Sequence, residues 1–392
     1  MTRYLVFFFS FILALGNLTD LFLSGIVEIL AVLIGTLIIF QKKHITSILK
    51  YSKQAFPLFL ILLILFIANL FYGYTNNEYS EFNFKFFLII LIYILFSVFF
   101  ENDPKAITSS LFFFSAGTAV LAILYFFNLL GSGIEVRNDR LLFLGENPNS
   151  LSVRVSLGVI VFIWLALNNK LHSSLLKKIF LLIPVPLMMA MIIASGSKGS
   201  FLLCVFSVLL LLLISNNLSK KTKIFSFVIV VLIFVLSYDV LLKSNLYERF
   251  LNSTLTTGRS DIWKQALGIF YDNPFGVGEG GYFKEIRLRT GESIDTHNLF
   301  IYLLVSGGFI SFFLFSFFYF KLLKKSIQAF KTNREPIFFI IWISMFFIMS
   351  KTGGVLSYLI MWFFLTMINA QTIRTKEKKY SQIMISNFVI NE

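Results

Sequence analysis

The residues best suited to chemistry fall between Gly258 and Asn298, in the one long polar passage of a chain that is otherwise almost wholly apolar. Arg259, Lys264, Arg287 and Arg289 supply fixed positive charge there. His297, one of only three histidines, supplies a group that exchanges a proton near neutral pH. Fixed cations suit a strongly anionic partner such as a diphosphate, and a neutral imidazole beside them suits general-base work on a hydroxyl. Between the cations lies Phe275–Gly281, FGVGEGG. It lacks the Gly-Lys-Ser/Thr ending of a P-loop and is not a dinucleotide fingerprint. It reads either as a flexible turn or as a nest of backbone N–H groups for an anion around Gly276 and Gly278. No Asp-x-Asp pair occurs, and Glu292 with Asp295 reads better as solvated loop than as oxygen ligands. Neither a metal nor a cofactor is expected.

Local pattern says how these groups are held. Trp263, Ala266, Leu267 and Phe270 share one helical face, Thr257 or Ser260 can cap the start, and Asp272-Asn273-Pro274 stops the helix. Arg259 then sits at the first turn, where free N–H groups already favour an anion. Such a helix lies on the bilayer or docks on the spans, with Trp263 at headgroup depth. His297 and Asn298 open the next apolar run, so the candidate base is anchored to a helix.

The rest of the chain is membrane. Of 392 residues 57% are hydrophobic and 14% charged, with a mean hydropathy of +0.82. Repeated apolar runs are long enough to cross a hydrocarbon core. The expectation is an all-α, polytopic integral membrane protein of about twelve spans, near 4–18, 21–40, 56–74, 84–100, 106–130, 150–167, 177–194, 199–215, 222–241, 298–320, 336–350 and 353–370. It forms a single domain over 1–392, with a large outer loop at 242–297 between spans nine and ten and a cytoplasmic tail at 371–392. The N-terminal run reads as an uncleaved first span, and the fifty Phe residues read as lipid-facing surface. Cys204 is alone in an apolar run, which excludes a disulfide framework and a thiolate metal site.

A net charge of +14 could suggest nucleic acid, but most of the basic residues sit in short connections at 41–53, 101–105, 168–178, 216–223 and 321–335 and in the tail. That is the positive-inside pattern. It puts both termini in the cytoplasm and predicts no nucleic-acid partner. His44 and His172 fall in these Lys-rich loops and carry no role. The informative cations break the pattern: Arg137, Arg140 and Arg154 in or beside the loop after span five, Lys198 in the tight turn SGSKGS, and those between Lys243 and Arg289. Anionic substrate groups would hold them on the outer face, although a long loop can also cross the membrane regardless of its charge.

Taken in order, Gly258-Arg259…Trp263, Asn273-Pro274-Phe275-Gly276-Val277-Gly278, His297-Asn298 and Gly307-Gly308 resemble the O-antigen ligase and polymerase superfamily of bacterial membrane glycosyltransferases. Asn147-Pro148-Asn149, the SGSKG turn and the placement of the outer loop fit as well. The resemblance covers roughly residues 130–310. It implies an inner-membrane enzyme acting at the periplasmic face on an undecaprenyl-diphosphate-linked oligosaccharide, without metal or nucleotide sugar. It also implies His297 as general base and Arg259 as the diphosphate contact, with Asn298 beside them. A second family arginine is implied at position 198, where this chain has Lys; Lys keeps the charge but loses the bidentate fork, so Arg137 or Arg140 is a candidate to supply it.

Polymerase and ligase stay open. The fairly short outer loop and the two Arg-bearing outer loops favour a polymerase of surface polysaccharide, with a chain-length regulator as a possible protein partner. The other class is a transporter or flippase, for which Glu28, Asp239, Pro184 and Pro186 are the features that could mark a broken, charged pathway.

Overall fold

The computed structural model describes residues 1–21, 25–41, 44–72, 77–137, 140–168, 174–215, 259–351 and 355–371, together with 219, 221, 223, 224, 228, 246 and 247. Most of the ninth expected span (222–241), Asp239 with it, most of the first part of the outer loop (242–258) and nearly all of the tail lie outside these residues. Fourteen helices and one hairpin carry the described chain: α1 (Thr2–Leu15), α2 (Ile26–Ile39), α3 (Ile45–Phe71), α4 (Asn77–Asn102), α5 (Pro104–Phe126), β1 (Ile134–Arg137), β2 (Arg140–Phe143), α6 (Pro148–Leu167), α7 (Leu175–Leu182), α8 (Val185–Ala194), α9 (Lys198–Ile214), α10 (Arg259–Asp272), α11 (Gly278–Thr290), α12 (Leu299–Asn333), α13 (Ile337–Met349) and α14 (Leu359–Asn369). Among the described residues seven helical stretches are long and apolar enough to cross a membrane. Four shorter apolar helices coincide with expected spans two, eight, eleven and twelve. The protein is a polytopic helical membrane protein.

Several boundaries depart from expectation for physical reasons. α3 starts at Ile45, eleven residues early, because its basic first turns stay in water on one edge and pair there, Lys50 with Glu101. Span seven is two helices, since Pro184 cannot continue the ladder of α7. α12 runs on through the expected 321–335 loop to Asn333. The loop after span five folds into the β1–β2 hairpin, with Arg137 and Arg140 partnered at its closed end. Glu28, weighed as a transport residue, is exposed in the first turn of α2.

The core is made by close helix approach, as packing inside lipid requires. α1 lies on α5, where a Cβ on Gly117 would sit 2.6 Å from the Phe11 carbonyl oxygen. α6 is the most enclosed span and also carries Arg154, which is 3% exposed and paired with the buried Glu146.

Polar contacts sort the bundle into two ends. One end joins Arg3 to Asp103 (2.5 Å), Lys325 to the Asn369 carbonyl (2.8 Å) and Asn168 to Glu335 (3.4 Å). Lys50 and Lys325 share the Tyr51 ring there. These are the expected Lys-rich connections. The opposite end carries the hairpin, Glu146, the α8–α9 turn, α10, α11 and Lys351. α9 and α13 run antiparallel, touching through Ser207 with Ser344 and Phe206 with Phe347. The start of α9 and the end of α13 therefore emerge on that second end together.

Candidate functional site

Asn273–Gly278 is not a free loop. It docks into a break in α12, where Gly308 adopts φ 68°, ψ −176°. Val277 N–H donates to the Val305 carbonyl (3.0 Å) and Phe309 N–H donates to the Pro274 carbonyl (3.1 Å), so the segment uses the polar groups that the break frees. Gly276, at φ 89°, lies so close that a Cβ would meet Gly308 N at 2.4 Å. Gly278, at φ 73°, lies against Asn69 of α3, whose Oδ1 accepts from Gly280 N–H (3.1 Å). The Tyr72 hydroxyl donates to Asn273 Oδ1 (2.5 Å). Both glycines are buried, and their geometry answers a need for close backbone approach. The Gly-rich stretch then enters α11 directly, where sequence gave either a turn or an anion nest.

The Asp295–Asn298 turn is braced by its own polar side chains and by α10 and α11. Asp295 Oδ1 accepts from His297 N–H (2.6 Å), and Thr296 Oγ1 donates to the Asn298 carbonyl (3.0 Å). Asn298 Oδ1 caps α12 by accepting from Phe300 and Ile301 N–H. Trp263 of α10 donates to the Thr296 carbonyl (2.8 Å), and the Tyr282 hydroxyl of α11 donates to the Ile294 carbonyl (2.7 Å). Asn298 is thus a helix cap. The imidazole of His297 is left out of this bracing, and its backbone is held at φ 50°, a region that His tolerates better than most residues.

Arg259, in the first turn of α10, donates from Nη1 to the Lys351 carbonyl (3.0 Å). Lys351 in turn places its ammonium 5.6 Å from the Trp263 ring centre. Burial lowers the proton affinity of His297, the Asp295 carboxylate raises it and the Arg259 charge lowers it again, for a net value below 6.5. The ring is therefore neutral at pH 7 and able to accept a proton. Trp263 ties α10 to the turn that carries His297. Lys264 and Arg287 are exposed, and Arg289 pairs with Asp272 (2.5 Å).

A second constellation forms at the same end of the bundle. Arg140 donates from Nε to the Ser195 carbonyl (3.1 Å) and from Nη2 to Asn149 Oδ1 (2.8 Å), which also accepts from Ser197 (3.0 Å). The hairpin, the Asn147-Pro148-Asn149 start of α6 and the SGSKG turn are thereby one unit, with Lys198 as the first residue of α9. Arg137 is the last residue of β1; its side chain is not among the described atoms. Arg154 belongs to the buried pair with Glu146 and not to this group.

Sequence reasoning missed Lys351 and Asp295 as the partner of His297. Lys351 had a usable signal: it sits in a short connection on the side that holds Lys198. The Glu292–Asp295 pair weighed as metal ligands is divided, Glu292 being exposed and Asp295 turned to His297.

Fold and site together define a polytopic helical membrane protein with a cation-rich, histidine-bearing site where two inserted helices cover one end of the bundle. Residues 183–316 match the family model described as O-antigen ligase. The match runs from α8 through the break in α12, and so takes in Lys198, Arg259, Gly276, Gly278, His297 and Asn298. It supports the O-antigen ligase and polymerase superfamily, and with it an activity of that type. No curated protein matches the chain.

Proposed function

We propose that the chain is a metal-independent, inverting glycosyltransferase at the outer face of a bacterial cytoplasmic membrane, with both termini in the cytoplasm. Its donor is a glycan on undecaprenyl diphosphate. The acceptor hydroxyl gives its proton to His297 while its oxygen attacks the anomeric carbon. The bond from that carbon to the diphosphate breaks, and the leaving diphosphate takes the electron pair. Arg259 and Lys351 stand where that charge develops, and one preorganised donor of this kind is worth about 3–4 kcal/mol. Lys198 and Arg140 serve the far part of the same donor or the incoming glycan. Lys198 at the start of α9 and Arg259 in the first turn of α10 occupy positions that oppose the helix dipole but favour a bound anion.

The observation that carries this reading is the placement of a neutral imidazole, on a turn braced independently of it, beside Arg259. His297→Asn is the cleanest test, because Asn also accepts a left-handed backbone. Expected are normal insertion, retained binding of the lipid-linked donor, and transfer reduced by about 10²- to 10⁴-fold. Transfer at the wild-type rate in that variant removes the base. Arg259→Lys should already lose most transfer, since a planar fork holds a diphosphate and a point charge does not. Transfer should persist in excess EDTA.

Repeat-unit polymerisation is the favoured reaction, with a chain-length regulator as partner, because two arginine-bearing outer segments suit a donor and an acceptor that both carry diphosphate. Ligation to lipid A–core is the second reading, favoured by the description of the matched family. Supplying purified protein with each acceptor in turn separates them.

A further inference from the structure

One oxygen atom ties the second constellation together. Asn149 Oδ1, at the start of α6, accepts from Arg140 Nη2 of the hairpin (2.8 Å) and from the Ser197 hydroxyl of the α8–α9 turn (3.0 Å). A guanidinium can only donate, so the amide must turn its oxygen toward Arg140, and the two donors fill that oxygen's two lone pairs. Ser197 immediately precedes Lys198 and stands at the N-cap of α9, yet its side chain does not cap the helix, because the hydroxyl goes to Asn149. The same turn is held a second time by Arg140 Nε, which donates to the Ser195 carbonyl (3.1 Å).

The bonds behind this oxygen run in one direction. With the Ser197 hydrogen given to Asn149, the Ser197 oxygen accepts from Ser200 (3.0 Å), and the Ser200 oxygen accepts from Ser152 of α6 (2.8 Å). All three serines are buried. Asn149 is fixed in turn by its own N–H, which donates to Asn147 Oδ1 (2.9 Å). Its side chain therefore has to end in an acceptor. The acid of the same segment, Glu146, is buried and paired with Arg154. What α6 presents to Arg140 and to the residue before Lys198 is an acceptor without charge.

We propose that Asn149 is a positioning residue for the two cations of this constellation, Arg140 and Lys198. Its neutral oxygen fixes Arg140 relative to the residue that carries Lys198 into α9, and adds no negative charge where an anion has to sit. A carboxylate there would hold Arg140 at least as firmly but would oppose the anion. A methyl group would leave both donors without their acceptor. The inference rests on the reading that Arg140 and Lys198 meet an anionic lipid-linked substrate; it does not depend on His297.

Binding tests it, with full-length protein in nanodiscs and two probes, undecaprenyl diphosphate and uncharged undecaprenol. Wild type should bind the diphosphate more tightly. Asn149→Asp should unfold at the wild-type temperature or above, yet bind undecaprenyl diphosphate about tenfold more weakly, with undecaprenol unaffected. Asn149→Ala should also lose about tenfold for the diphosphate, the net worth of one hydrogen bond. Combined with Lys198→Ala, it should lose at least about threefold less than the product of the two single losses, as coupled residues do. Wild-type binding by Asn149→Asp makes the oxygen merely structural and overturns the proposal. Equal losses for undecaprenol, or single losses that simply multiply, overturn it as well. If Asn149→Ala does not fold, Asn149→Asp, which keeps the acceptor, decides alone. A wild type that does not distinguish the two probes defeats the anionic reading of Arg140 and Lys198, and the proposal with it. In transfer of lipid-linked glycan extracted from the producing cells, Asn149→Asp should raise KM about tenfold and hold kcat within about threefold, a change of less than 1 kcal/mol in barrier. His297→Asn should instead lower kcat. A fall in kcat with KM unchanged in Asn149→Asp would overturn the positioning role.

Discussion

Replacing Gly308 by Ala should undock the segment that links α10 to α11, and the cost follows from the geometry. At φ 68°, ψ −176° Gly308 occupies a region held essentially by Gly alone, where another residue pays about 1–3 kcal/mol. The added Cβ would lie 2.3 Å from the Phe275 carbonyl carbon, 2.5 Å from its oxygen and 2.6 Å from the Pro274 carbonyl oxygen. All three are backbone atoms, so no side chain can rotate aside to relieve the clash. The segment has to lift, and lifting gives up the Val277–Val305 and Phe309–Pro274 hydrogen bonds, each worth about 0.5–1.5 kcal/mol. The total is about 2–6 kcal/mol, a large part of the ~5–15 kcal/mol that holds a typical domain. Gly199→Ala is the control: a Cβ there meets nothing within 4 Å, and Ala in α9 gains up to about 1 kcal/mol of helix propensity. Thermal unfolding of detergent-purified protein, with glycan transfer measured alongside, should show Gly308→Ala less stable by several degrees and nearly inactive, with Gly199→Ala unharmed. A Gly308→Ala protein as stable and active as wild type would refute the docking of Asn273–Gly278 as what positions the site.

The remaining expectations concern charge. Because burial and Arg259 hold His297 below 6.5, transfer should persist through mild acid and fall only as pH drops through that lowered value; Asp295→Asn should move the acid limb lower and Arg259→Gln should move it higher in the residual rate. A limb that stays put in both variants means another group titrates. Arg154→Met leaves Glu146 buried without its partner and should destabilise the protein by about 3–5 kcal/mol in thermal unfolding, whereas adding Glu146→Gln should restore most of that loss. Equal stability of the single and double variants would mean the pair is solvated in the membrane. Reporter fusions at Lys331 and at the C-terminus should report cytoplasm and a fusion at Gly291 periplasm; a cytoplasmic signal at Gly291 would put the site on the wrong face.

What could be read from the sequence divides by the range of the interactions involved. Spans were legible because apolar length is a local property, and so was α10, whose Trp263, Ala266 and Phe270 repeat at helical spacing. α11 was not: it opens on Gly-Glu-Gly-Gly, which local propensity reads as a breaker, and it is helical because Tyr282 and Ile286 are buried against distant spans. The hairpin was hidden the same way, its charged turn reading as loop while Leu141 and Phe143 bury themselves beneath it. The site shows the sharpest form of this. Arg259 and His297 could be picked out by type, yet what makes them a pair is Trp263 reaching across to Thr296, which no spacing encodes. The glycines teach the reverse lesson. The glycine-rich stretch permits positive φ and close approach, and Gly276 and Gly278 use both, but the approaching group is the protein's own backbone at Gly308 and the Asn69 amide. A Gly-rich stretch beside cations therefore identifies a site only after its own backbone partners have been found. Here they account for both glycines, which leaves the proposed binding of the anion to the charged side chains.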